Sequence, residues 1–120
     1  MALPKRLSRK PEEIRVQEIQ FLGEQDGPPE QLLKNGLVES FQIDENVQRA
    51  YLARVSFGEG SHASVVLGLR TRSGPEKRLV ETVGSIFASI FGGREHLDIM
   101  FLTDTQEAQL SLVCKPFFGA

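Results

Sequence analysis

The chain has 120 residues, 40% hydrophobic and 25% charged, with eight phenylalanines and no tryptophan, which is enough for one buried core in one domain. Lys5, Arg6, Arg9 and Lys10 all precede the first acid, Glu12, so the remainder is acidic and lacks the dense basic footprint of a nucleic-acid module. Cys114 is the only cysteine, and no run of about 18 apolar residues occurs, so an intrachain disulfide and a spanning helix are excluded and a cytoplasmic location is expected.

Residues 1–12 read as a basic, partly flexible arm and residues 13–120 as a single domain. Ile14 and Val16, then Ile19 and Phe21 after a change of phase, predict a first strand with a bulge near Gln17 and Glu18. Asp26 and Gly27 form a turn, and Pro28 or Pro29 suits the first turn of a short helix. Its stripe is Leu33, Leu37 and Phe41, widened by Leu32 and Val38.

VQRAYLARVSF and ASVVLGLRT, separated by GEGSH, predict an antiparallel pair. Leu79, Val83, Ile86, Phe87, Ile90 and Phe91 mark a strongly amphipathic helix, with Pro75 in its first turn and Gly92 and Gly93 as its stop. LDIMFL, from Leu97 to Leu102, is the last strand, and Asp104 and Glu107 have capping-box spacing for a short terminal helix ending before Pro116. The fold expected is α+β: a two-layer sandwich of ferredoxin-like βαββαβ order with an antiparallel-rich four-stranded sheet, first and third strands central, and a short C-terminal helix and tail.

Alternation places Arg49, Tyr51, Ala53, Val55 and Phe57 on one face of their strand, opposite to Arg54. That set, joined by Val65, Leu67 and Leu69, is the expected core face. Leu52, Arg54, Val66, Arg70, Met100 and Leu102 then share the second face, where aliphatic area mixed with arginine has the character of a protein interface. Phe117 and Phe118 either join this candidate interaction surface or fold back over it. Light scattering and lysate capture with Arg54 and Leu52 variants would probe it.

Chemical signatures are sparse. Arg72, Lys77 and Arg78, with Arg70 nearby, form a candidate anion-attracting turn at a helix start, set against an ordinary solvated turn. Cys114, with Lys115 next to it and His62 or His96 elsewhere, meets only the composition requirement of a cysteine hydrolase, and His96 and Asp98 lack a third metal ligand. No catalytic residue, metal site or cofactor is therefore expected, and no stacking aromatics are available for RNA on the second face.

RAYLARV, a glycine-containing turn, VVLGLRT, a long helix, LDIMFL and the ending PFF together resemble the C-terminal domain of the enhanced serine sensitivity protein family, SseB. In that family an AYLA-type segment opens a strand pair, a VGL-like segment continues it and a PFY-type ending closes the domain; Phe118 stands where the pattern has tyrosine. The resemblance implies a cytoplasmic bacterial protein linked to serine tolerance. The function expected is a non-catalytic module for self-association or a protein partner, in a regulatory or accessory role. The alternative is a small enzyme or an anion- or ligand-binding domain.

Overall fold

The computed structural model describes residues 19–57, 63–92 and 95–119. Its elements are β1 (Ile19–Glu24), α1 (Pro28–Ile43), β2 (Val47–Phe57), β3 (Ser64–Thr71), α2 (Lys77–Phe91), β4 (Asp98–Phe101) and α3 (Asp104–Leu110). The chain order is as expected, but the sheet differs from a ferredoxin-like one. Its spatial order is β1-β2-β3-β4, with two antiparallel pairs and a parallel β3/β4 pair, so it is mixed. The expected central place of the first strand is corrected: β1 lies at an edge, where Gln20 and Glu24 remain exposed. Such polar side chains suit an edge strand, which can keep them in water.

The bulge in β1 falls between Phe21 and Gly23; the positions expected for it, Gln17 and Glu18, lie outside the described residues. The GEGSH loop, Gly93 and the 1–12 arm also lie outside them. α1 runs for 16 residues, so it is not the short helix expected. It buries Leu33, Leu37 and Phe41, whereas Leu32 is 61% exposed and does not widen the stripe.

α1 and α2 pack side by side on one face of the sheet, over Ala50, Leu52, Leu67 and Leu69, to form the main core. A Cβ built on Gly36 of α1 would lie 3.1 Å from Ile86 Cγ2 of α2. Glycine thus admits a close helix–helix approach there, offsetting its cost of about 1 kcal/mol in a helix interior. α2 ends at Gly92, whose φ of 77° is the left-handed stop expected of it.

The cap of α3 is shifted by one residue from expectation. Thr103 is the N-cap, its hydroxyl accepting from Gln106 N while the Gln106 side chain accepts from Thr103 N. Asp104 and Glu107 are therefore released from capping and can serve another purpose.

The tail returns to the sheet along the side of β2 that β1 leaves bare. β1 pairs with Ala53 through Phe57, and Gln25 N donates to Leu52 O at 3.0 Å. Farther along, Phe117 N donates to Ala50 O at 2.8 Å and Ala50 N donates to Phe118 O at 3.1 Å. The two phenylalanines lean on the main core beside the helices, so they do not cover the opposite face.

Candidate functional site

The pairing of β2 with β3 is offset by one residue from the pairing expected. Leu52 faces Leu67, Ala50 faces Leu69, Tyr51 faces Gly68 and Arg49 faces Arg70. A bulge at Gln48 accounts for the phase, since Val47 and Ala50 both reach the main core. The face away from α1 and α2 therefore carries Arg49, Tyr51, Ala53 and Val55 with Val66, Gly68 and Arg70.

Two arginines directly opposite one another repel unless a counter-charge lies between them. α3 supplies it. Arg49 Nη2 donates to Glu107 Oε1 at 2.9 Å, Arg49 Nε donates to Glu107 Oε2, and Tyr51 Oη donates to that same oxygen at 2.7 Å. Arg70 Nη2 pairs with Asp104, Arg70 Nη1 donates to Leu102 O at 3.1 Å, and Arg70 Nε lies 3.8 Å from Glu107 Oε1.

These contacts fix the protonation states of the cluster. The hydrogen bond from Arg49 holds the Glu107 carboxyl below its usual range, outweighing the opposing effect of burial, and Tyr51 lowers it further. The Arg49 guanidinium is held charged above its ordinary value by Glu107. Burial, then the Glu107 hydrogen bond, pushes the Tyr51 phenol up to about 12. Glu107 is thus a charged acceptor of three hydrogen bonds and Tyr51 a neutral donor, which is the arrangement of a structural clamp.

The clamp seats α3 on the sheet. A Cβ on Gly68 would come within 3.2 Å of Leu102 and 3.3 Å of Leu110, so glycine makes room for the helix where its neighbour Tyr51 reaches up to it. Tyr51, Ala53, Leu102, Leu110 and Cys114 then form a second core. The sequence singles out Arg49 and Tyr51 as neighbours on one strand face; their partner was hidden because Glu107 reads as a capping residue.

A second charge network, around one buried lysine, lies at the C-terminal end of β1. The Lys34 amine is buried, 2.9 Å from Glu24 Oε2 and 3.3 Å from Asp26 Oδ1. Burial alone would favour loss of its proton, but the two carboxylates more than compensate and raise its pKa.

The eight residues expected to form one interaction surface are separated by the fold. Leu52, 1% exposed, belongs to the core beneath the helices, because the actual register turns it there. Val66 and Leu102 are buried on the opposite side, Leu102 against α3. Arg70 is engaged by α3, Met100 is half-buried on edge strand β4, and Arg54 is exposed beside Gly23. Phe117 and Phe118 are with Lys34 and Phe41 on the helix side.

Arg72, Lys77 and Arg78 are exposed around the start of α2. The turn's own donors are occupied: the Asn46 side-chain oxygen accepts from Arg72 N, Ser73 N and Ser73 Oγ, each at 3.1 Å. Asn46 Nδ2 in turn donates to Glu76 at 2.7 Å, and Glu76 is the residue preceding α2. Among the described residues no group of three or more histidine, cysteine, aspartate or glutamate side chains could hold a metal ion.

A family model for the SseB protein C-terminal domain matches residues 17–119. The chain belongs to this family. No curated protein and no solved structure matches it. The matched range includes every described element of this SseB domain, from β1 to the tail. No helix among its described residues is long and apolar enough to cross a membrane.

The single cysteine of the SseB domain is part of the second core. Burial, then the charge of Glu24, pushes the Cys114 thiol up to about 11, and its Sγ is 3.5 Å from Leu52 O. A nucleophilic cysteine needs the reverse shift. At pH 7.5 iodoacetamide is accordingly expected to leave Cys114 unmodified in the folded protein and to alkylate it in urea, as read by intact-mass spectrometry. Full labelling under native conditions would contradict its placement.

The most interaction-prone part of the SseB domain is the β4 edge. Ile99 and Phe101 sit beside Leu67 and Leu69, but remain half-buried where those central residues are fully buried. Met100 is half-buried on the other face. Ile86 of α2 meets Gly36 of α1, and helical spacing puts Val80, 39% exposed, on the other flank of α2 with the stacked rings of Phe87 and Phe91. The centroids of these rings are 4.7 Å apart, and they pack on the same core as Ile99 and Phe101.

Proposed function

We propose that this domain is a non-catalytic protein-interaction module that docks a partner chain along β4, with a regulatory or accessory role in the bacterial cytoplasm. The observation that carries this reading is the undefended edge. Among the described residues nothing pairs with the outer side of β4, and the strand DIMF contains neither lysine nor proline. Its sole charge, Asp98, is buried.

Sheet edges normally carry charge, bulges or a cover because their open N–H and C=O groups recruit other strands. A partner strand here would gain main-chain hydrogen bonds and cover apolar side chains on both faces, the mode known as strand addition. The clamp, whose carboxylate is already engaged by Arg49 and Tyr51, and the inert thiol favour this reading over the alternative of a small enzyme. Membership of the SseB family supports a connection with serine tolerance, for which docking to a partner supplies a physical route.

The test uses Met100→Lys, which places an ammonium on the edge, and Val80→Asp on the adjoining helix flank. Sedimentation velocity reports self-association and affinity capture from a bacterial lysate reports other partners. Both variants are expected to weaken the association at least about tenfold, the equivalent of 1.4 kcal/mol. Leu112→Asp, at an 84% exposed position after α3, should leave it unchanged. Equal association by wild type and both edge variants would overturn the proposal.

A further inference from the structure

We propose that the bare side of β2 between Val47 and Leu52 is a second, peptide-binding groove, occupied in cis by the tail and able to take an extended partner segment of the form aromatic–aromatic–glycine. This site lies on the opposite side of the sheet from β4 and does not depend on the reading given above.

The chemistry of the occupant is visible in the segment already seated there. Among the described residues its backbone is held by two hydrogen bonds, from Phe117 N to Ala50 O and from Ala50 N to Phe118 O. The first ring lies with its centroid 6.0 Å from the Lys34 amine, within reach of a cation–π attraction. The second meets the Phe41 ring edge-on at 5.7 Å. Both rings are half-buried, so neither is sealed into the core.

The third position is the most selective. Gly119 has φ 74°, and a Cβ there would lie 1.9 Å from the carbonyl oxygen of Gln48. That oxygen belongs to the backbone of the bulge residue of β2, flanked by the paired residues Val47 and Arg49. Any residue with a side chain is therefore excluded on both steric and conformational grounds. The groove reads two aromatic side chains and then the absence of one.

Lys34 is fastened to Glu24 and Asp26, and Phe41 is part of the main core, so the walls persist when the tail leaves. Main-chain pairing of an extended segment with an exposed strand supplies affinity, while the adjoining pockets supply specificity. The tethered tail competes through its high effective concentration. An external segment must therefore bind as the tail lifts away.

Two measurements test this. In the wild-type protein, native-state hydrogen exchange should release the Phe117 and Ala50 amides on the order of 100-fold faster than the Leu102 amide, which donates to Leu69 O within the sheet. Release of all three only with global unfolding would overturn the proposal. Secondly, a fluorescently labelled peptide of sequence KPFFGA is titrated into the full-length Phe117→Ala/Phe118→Ala protein and followed by anisotropy. Saturable binding at least about tenfold tighter than to wild type is expected, and a KPFFAA peptide should lose at least about tenfold. Failure of KPFFGA to bind the folded variant, or equal binding of both peptides, would equally overturn it; the exchange result decides the matter should the variant fail to fold.

Discussion

Replacing Glu107 by alanine is expected to lower the unfolding free energy by about 2–3 kcal/mol, below the full range for breaking a buried ion pair because Arg49 retains access to water. For a chain of this size that corresponds to a fall in Tm of roughly 8–15 °C. The change removes the common acceptor of Arg49 and Tyr51, and leaves two arginines opposed across β2 and β3. Tyr51→Phe, which deletes one donor and leaves the ion pair intact, should cost only about 1 kcal/mol. A double-mutant cycle between the two positions should show coupling, since both alter the same carboxylate.

The same carboxylate gives the clamp a pH dependence of known sign. Because the folded state holds the Glu107 pKa below its ordinary value, the unfolded chain binds the proton more readily and the clamp stabilises the fold. Its contribution is fully present above the unfolded carboxylate value of about 4.3 and is lost as pH falls through the folded value. The stability gap between wild type and Glu107→Gln, measured by urea unfolding, should therefore be constant from pH 7 to about 5 and narrow below about 4. A gap that widens with acid would contradict the assignment.

Leu52→Asp is expected to cost more than about 4 kcal/mol, because it places a carboxylate in the core under α1 and α2. Arg54→Glu, two residues along the same strand, should change stability by no more than about 0.5 kcal/mol, because Arg54 is exposed. The contrast reads the register of β2 against β3. An observed register that turned Leu52 outward would make both substitutions mild. Urea melts followed by circular dichroism distinguish the outcomes, with a cooperative transition for Arg54→Glu and early or absent cooperativity for Leu52→Asp.

The two-layer α+β character and the order of elements were legible because the apolar periods are long: α2 repeats Leu79, Val83, Ile86 and Ile90 through four turns, and α1 repeats Leu33, Leu37 and Phe41. The strand order was not. Local alternation fixes which residues share a face of one strand, but says nothing of which strand lies beside it, and here β1 was displaced to the edge. The register was obscured by the bulge at Gln48 together with the apolar character of both faces of β2, where Ala50, Tyr51, Leu52 and Ala53 are all buried. A strand that is apolar on both sides offers no polar face to signal a one-residue slip.

The candidate site suffered from that slip directly. With Leu67 assigned to the face of Tyr51, Leu52 and Arg70 seemed to share an open surface; in the fold they lie on opposite sides. Met100 kept its exposed character because the edge position of β4, rather than its facing, leaves it partly open. Glu107 was concealed by chemistry: an acid three residues after Asp104 matches a capping box, whereas Thr103 and Gln106 make the actual one. The pairing of the buried Lys34 with Glu24 had no sequence signal at all, since a lysine on a helix normally reads as solvated.

The central proposal is that β4 receives another protein chain. Its most direct test is site-specific photocrosslinking in growing bacterial cells, with benzoylphenylalanine placed at Val80 on the α2 flank that carries Phe87 and Phe91 or at Leu112 on the far side of the domain. A discrete crosslinked species from position 80, absent from position 112 and diminished by Met100→Lys in the same chain, is the predicted result. Crosslinking at position 112 alone, or none at position 80 with the folded protein present at normal abundance, would contradict it.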